Sequence, residues 1–109
     1  MAAQCEWDIS VEDLKKLRDD GADFVLVDVR EPHEFEICDL GGELIPLGSL
    51  PGRLDAFDKN AHTVVHCRSG GRSANAVQLM RQVGFTNVWN VNGGILAWID
   101  RIDPSLTPY

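Results

Sequence analysis

The stretch Thr63-Val64-Val65-His66-Cys67-Arg68-Ser69-Gly70-Gly71-Arg72-Ser73 decides how the rest of this 109-residue chain is read. Three β-branched residues and His66 predict a short strand over 63–66, and the glycine pair predicts a sharp loop over 67–71. From Arg72 onward, Ala76, Val77, Met80 and Val83 recur on one helical face and Gly84 supplies a terminator, so a helix is expected over 72–83. Cys67 is thereby set where the carboxyl end of a strand passes into a helix, the place at which open parallel sheets bind ligands.

Outward from this unit the same alternation repeats. Upstream, Ser10 followed by Asp13 reads as a helix cap, with Val11, Leu14 and Leu17 on one face until Gly21. Residues 24–29 form a continuous apolar run ending in Asp28-Val29, as a parallel strand buried on both faces requires. A short acidic helix is expected over 31–37 with Pro32 in its first turn. A strand over 43–45 follows, and then a helical face of Leu50, Leu54 and Phe57 beyond Pro46. Downstream, a strand over 88–91, a Gly93-Gly94 turn and a helical stripe of Ile95, Ile99 and Ile102 with Trp98 complete the pattern. The expectation is a single domain over 1–109 of α/β class around a mostly parallel sheet.

Composition narrows the functions. The chain is 44% hydrophobic and 25% charged, ordinary for a globular domain. Its longest apolar run, residues 24–27, falls far short of the roughly 20 residues a bilayer requires. Residues 1–8 lack the basic and apolar character of a signal sequence, so a cytoplasmic location is expected. The formal net charge of -7 disfavours nucleic acid and anionic membranes as partners. Residues 1–58 hold 15 acids and 5 bases, whereas residues 59–99 hold Lys59, Arg68, Arg72 and Arg81 and no acid. A cysteine flanked by arginines in that stretch is where anion chemistry is expected.

Cys5, Cys38 and Cys67 are odd in number and none is spaced as CxxC, so reduced thiols are expected rather than a disulfide framework or a metal site. A Gly-containing loop leading into a helix N-terminus converges its N–H groups on an anion, and the helix dipole adds partial positive charge. The same field stabilises a thiolate at Cys67, reinforced by Arg68 and Arg72. A small buried cysteine in an ordinary turn is the plain alternative, and two arginines in the loop argue against it.

These residues carry a resemblance. His66-Cys67-Arg68-Ser69-Gly70-Gly71-Arg72-Ser73 resembles the active-site loop of rhodanese domains, Asp28-Val29-Arg30-Glu31 their upstream motif, and Gly93-Gly94-Ile95-Leu96-Ala97-Trp98 their late one. The match spans nearly the whole chain. It implies a three-layer α/β/α fold with about five strands and helices on both faces, and it implies sulfur transfer. Cys67 would take the outer sulfur of thiosulfate or of a donor persulfide and pass it to a nucleophilic acceptor. Residues Arg68, Ser69, Gly70, Gly71 and Arg72 would surround the persulfide with N–H donors. Arg72 and Arg68 would grip an anionic donor, while Asp28, Arg30 and Ser73 would support the site. No metal or organic cofactor is implied, because the protein sulfur carries the intermediate. The tail Ile102-Asp103-Pro104-Ser105-Leu106-Thr107-Pro108-Tyr109 is similar to the end of the rhodanese domain in molybdopterin-synthase sulfurylases and related activators of ubiquitin-like sulfur carriers. That similarity implies a persulfide-carrying protein as donor and such a carrier as acceptor.

Two rivals compete with this reading. Protein tyrosine phosphatases also place a Cys before a loop and an Arg, but with five intervening residues, whereas four separate Cys67 from Arg72; the shorter loop makes a smaller cradle. A non-enzymatic relay or binding module of the same fold is the other. Among the remaining residues, Asp28 and Arg30 read as a brace or as a strand-end ion pair of little weight. His66 should point to the face opposite Cys67. His33 and His62 are expected in solvent, Cys38 as a small buried residue, Trp98 and Trp89 in the core, and Trp7 over a sheet edge. The acidic helix is expected to present a solvated face, and Cys5 to have no assigned role.

Overall fold

At the centre of the sheet, β4 (Thr63–His66) is buried along its whole length, as four consecutive residues enclosed on both faces must be. In the computed structural model, which describes residues 6–109, it pairs with β2 (Val25–Asp28) on one side and β5 (Val88–Val91) on the other. β1 (Asp8–Ile9) and β3 (Glu43–Leu44) flank these, giving a five-stranded sheet of order β1-β5-β4-β2-β3 in which every pairing is parallel. The register sets Asp28 beside His66. Cys5 lies outside the described residues.

Parallel strands require crossovers, and the helices that supply them cover both faces. α1 (Val11–Asp19) and α4 (Gly94–Arg101) share one core with Val64 and Val91 of the sheet. α3 (Gly71–Gln82) and a 3-10 helix (Leu47–Ala56) share the other with Val27, Val65 and Val88. Adjacent residues of β4 thus serve opposite cores, as the alternation of a strand dictates. The short α2 (Pro32–Ile37) follows β2. The three-layer α/β/α fold is as expected, and no described helix is long and apolar enough to cross a membrane.

Local chemistry explains most element ends. Ser10 caps α1, accepting from Asp13 N at 3.0 Å while Ser10 N donates to Asp13 Oδ2 at 3.4 Å. Four expectations need correction. Helical spacing puts Val83 on the buried face of α3, yet it is 41% exposed. The chain leaves the helix there: Gly84 N donates to Arg81 O and Phe85 N to Met80 O, which swings Phe85 into the core instead. The segment after Pro46 forms a 3-10 helix, because Gly48, Pro51 and Gly52 do not sustain a regular α-helix. His62 is half-buried against Phe24 rather than solvated. Trp89 is only half-buried, sandwiching the Arg81 guanidinium with Trp7 at 5.0 and 4.8 Å from the two rings.

Candidate active site

Cys67 follows β4 directly and is 1% exposed. Its Sγ accepts hydrogen bonds from Gly70 N at 3.1 Å and Ser73 N at 3.4 Å, and Ser73 Oγ lies 3.3 Å away. The loop is bent by Gly70, whose φ of 111° side-chain-bearing residues rarely adopt. Gly71 begins the twelve-residue α3, so the positive end of that helix also faces the sulfur. Ser69 is exposed on the rim.

The loop is also held from behind. Ile95 N donates to Cys67 O at 2.9 Å and Leu96 N to Arg68 O at 3.0 Å. The first turn of α4 therefore occupies the carbonyls of Cys67 and Arg68, while the N–H groups of Gly70 and Ser73 serve the sulfur. A second support runs through side chains. Ser73 Oγ donates to Asn90 Oδ1 at 2.5 Å, and Asn90 Nδ2 donates to Asp8 Oδ1 at 2.8 Å. Neither Asn90 nor Asp8 stands out in the sequence, since nothing there indicates that β1 and β5 reach beneath the loop.

Among the described residues, the hydrogen bonds of the two loop arginines go to Tyr109 and Glu34 rather than to the sulfur. Arg72 forms a two-pronged ion pair with Glu34 at 2.6 and 2.8 Å. Arg68 Nε donates to the main-chain oxygen of Tyr109 at 2.7 Å, its Nη2 contacts the same oxygen, and its guanidinium lies over the Tyr109 ring. Tyr109 Oη donates to Glu34 Oε2 at 2.8 Å and accepts from Arg30 Nη1 at 2.9 Å. The hydrogen bonds from Arg72 hold the Glu34 carboxyl down to about 2, and Glu34 in turn raises Arg72. Helix α2 presents an exposed face at Pro32, His33, Glu36 and Ile37, whereas Glu34 is buried because it reaches across to α3. A counter-ion for a half-buried loop arginine was the available signal for Glu34. Tyr109 had only the resemblance of the tail.

Beneath this cluster, Asp28 and Arg30 are fully buried. Arg30 Nε and Nη2 donate to Asp28 at 2.7–3.0 Å, and Nη2 also donates to Cys38 O at 2.7 Å. Burial opposes the charge of Arg30, and the hydrogen bonds to Asp28 and Tyr109 outweigh it. This is a brace with its donors used, where removal of one partner would leave the other charge buried and unpaired. His66 packs on the opposite face from Cys67, 3.7 Å from Asp28. Cys38 is a buried free thiol, and His33 is exposed.

The model of the Rhodanese-like domain family matches residues 10–101. The chain belongs to that family. Among rhodanese-like relatives, it is 34% identical to a sulfurtransferase of Allochromatium vinosum, with 93% of this chain matching 95% of that one. It is 38% identical to the adenylyltransferase and sulfurtransferase MOCS3-2 of Zea mays, where 93% of this chain matches 23% of the relative. The chain thus spans about a quarter of that protein. Among solved structures, the rhodanese-like domain protein of Staphylococcus aureus superposes with a TM-score of 0.80 at 30% identity, covering 94% of this chain and 97% of the other. The human single-domain sulfurtransferase TSTD1 gives 0.79 at 27% identity, covering 87% and 96%. These rhodanese-like relatives support sulfur transfer as the general class of activity.

Proposed function

We propose that this protein is a sulfurtransferase that carries sulfur as a persulfide on Cys67. The observation that carries the proposal is the set of N–H donors from Gly70 and Ser73 on a single buried sulfur at the N-terminus of α3. Such donors stabilise an anion without rearranging, which suits them to the persulfide anion that Cys67 would carry.

The Cys67 thiolate attacks the outer sulfur of thiosulfate, forming the new S–S bond as the old one breaks, and sulfite departs with the electron pair. With a donor persulfide the leaving group is the donor's thiolate. A nucleophilic acceptor then attacks the outer sulfur of the Cys67 persulfide, and Cys67 leaves as thiolate. Charge balances in each step and no cofactor is consumed. Gly71, Ser69 and Arg68 line the rim over which a donor would pass. Asp28 and Arg30 brace the strand end, and Ser73 fixes the sulfur. The resemblance of the tail to sulfurylases that serve ubiquitin-like sulfur carriers favours such a carrier as acceptor, and a cytoplasmic, single-domain protein is part of the same proposal.

Intact-protein mass spectrometry after exposure to thiosulfate or cysteine persulfide tests this reading. A gain of one sulfur atom is expected, discharged by cyanide as thiocyanate and absent in Cys67→Ala. Sulfur retained in Cys67→Ala and lost in Cys38→Ala would move the carrier to Cys38. Failure of both donors to load the wild-type protein would remove sulfur transfer as its function.

A further inference from the structure

Thiosulfate is a dianion, and a loop that turned two guanidinium groups toward its sulfur would be suited to grip one. Here both are engaged elsewhere. Both Nη groups of Arg72 are spent on Glu34, and Arg68 is spent on Tyr109. The tie is cross-linked, because Tyr109 Oη bonds Glu34 on one side and Arg30 on the other. Four charged groups and one phenol thus form a closed clasp beside Cys67, in which Glu34 cancels the charge of Arg72. What remains for a donor at the sulfur is the set of backbone N–H groups, which serve one terminal sulfur atom, together with the charge of Arg68, whose guanidinium is held on Tyr109.

We infer that Glu34 and Tyr109 are specificity-determining positioning residues, which withhold Arg72 from the donor and so disfavour dianionic thiosulfate relative to singly charged thiol persulfides. The inference rests on the reading of Cys67 as the sulfur carrier. Glu34 and Tyr109 touch neither donor nor sulfur; they act through the direction in which Arg72 points. The 36% exposure of the Arg72 side chain leaves it free to turn once released.

The test measures the second-order rate constants for loading Cys67 from thiosulfate and from cysteine persulfide, read by mass spectrometry on the full chain. In Glu34→Gln the ratio of the two should shift about tenfold toward thiosulfate, the size of one additional charge-assisted hydrogen bond, and the improvement should lie in KM for thiosulfate rather than in kcat. Tyr109→Phe keeps every charge and removes only the hydroxyl, and should shift the ratio the same way by roughly threefold. The shift should vanish in Glu34→Gln/Arg72→Gln, since Arg72 is the group released. An unchanged ratio, a raised KM for thiosulfate, or parallel loss with both donors would overturn the inference while leaving sulfur transfer intact. No loading of the wild-type protein by either donor would instead defeat the underlying reading.

Discussion

His66 is fully buried beside a buried ion pair, and its protonation state follows from that setting. Burial disfavours the imidazolium, Asp28 opposes that effect and Arg30 adds to it, so the pKa of the imidazole falls below its ordinary value. Its Nε2 is a buried atom without a hydrogen-bond partner among the described residues. The unfolded chain therefore takes up this proton first as pH falls through about 6.5, and stability present above that value declines below it. In His66→Leu, urea unfolding between about pH 6.5 and 5 should show a shallower dependence, by up to about 1.4 kcal/mol per pH unit. An unchanged slope would mean that His66 titrates alike in both states. The position of His66 opposite Cys67 was legible because alternation is a local rule. The inward turn of Glu34 was not: Glu31, Glu34 and Glu36 look alike in a short acidic helix, and the choice among them is made by Arg72, 38 positions away.

The element that gives the loop its shape is α4. Its glycine pair reads in the sequence as a tight turn, but in the fold it also lets a helix end approach the loop backbone. A Cβ on Gly94 would lie 2.5 Å from Arg68 O and 2.6 Å from Cys67 O, and its φ of +61° is itself unfavourable for a side chain. Gly94→Ala should therefore push α4 off the two carbonyls it holds, costing about 2 kcal/mol or more in denaturant unfolding and slowing persulfide loading of Cys67. Normal loading in a destabilised variant would show that the loop keeps its N–H groups on the sulfur unaided. At this scale, elements whose ends are written locally were legible, such as the Ser10 cap and the Gly84 stop. Periodicity misplaces Val83 because it does not register the residue at which a helix ends, and Phe85 takes the buried place that the period assigns to Val83.

Across the molecule, the acidic first half and the basic stretch that follows are halves of the sequence, not of the fold. Helix α2 carries Glu34 from the first onto Arg72 of the second, and Tyr109 joins both. Glu34 thus neutralises one of the two loop arginines, while Arg68 keeps its charge against Tyr109, and the backbone N–H groups and the end of α3 supply the hydrogen-bonding field at the sulfur. The contact of Glu34 with Arg72 ties α2 to α3, and Arg30, which follows β2, joins it through the Glu34 carbonyl and the Tyr109 hydroxyl. Its energetic weight is testable by acid. The Glu34 carboxyl is held at about 2 in the folded protein against 4.5 as its ordinary value. Its contribution is accordingly complete above pH 4.5 and lost as pH falls toward 2. Because Arg72 is partly solvated, screening limits that contribution to about 1 kcal/mol. The stability difference between wild type and Glu34→Gln, measured by urea unfolding, should therefore be constant from neutrality down to about pH 5 and shrink below it as wild-type Glu34 protonates. A difference that stays constant through that acid range would assign the effect to the hydrogen bond with Tyr109 and to packing rather than to the charge that α2 brings to α3.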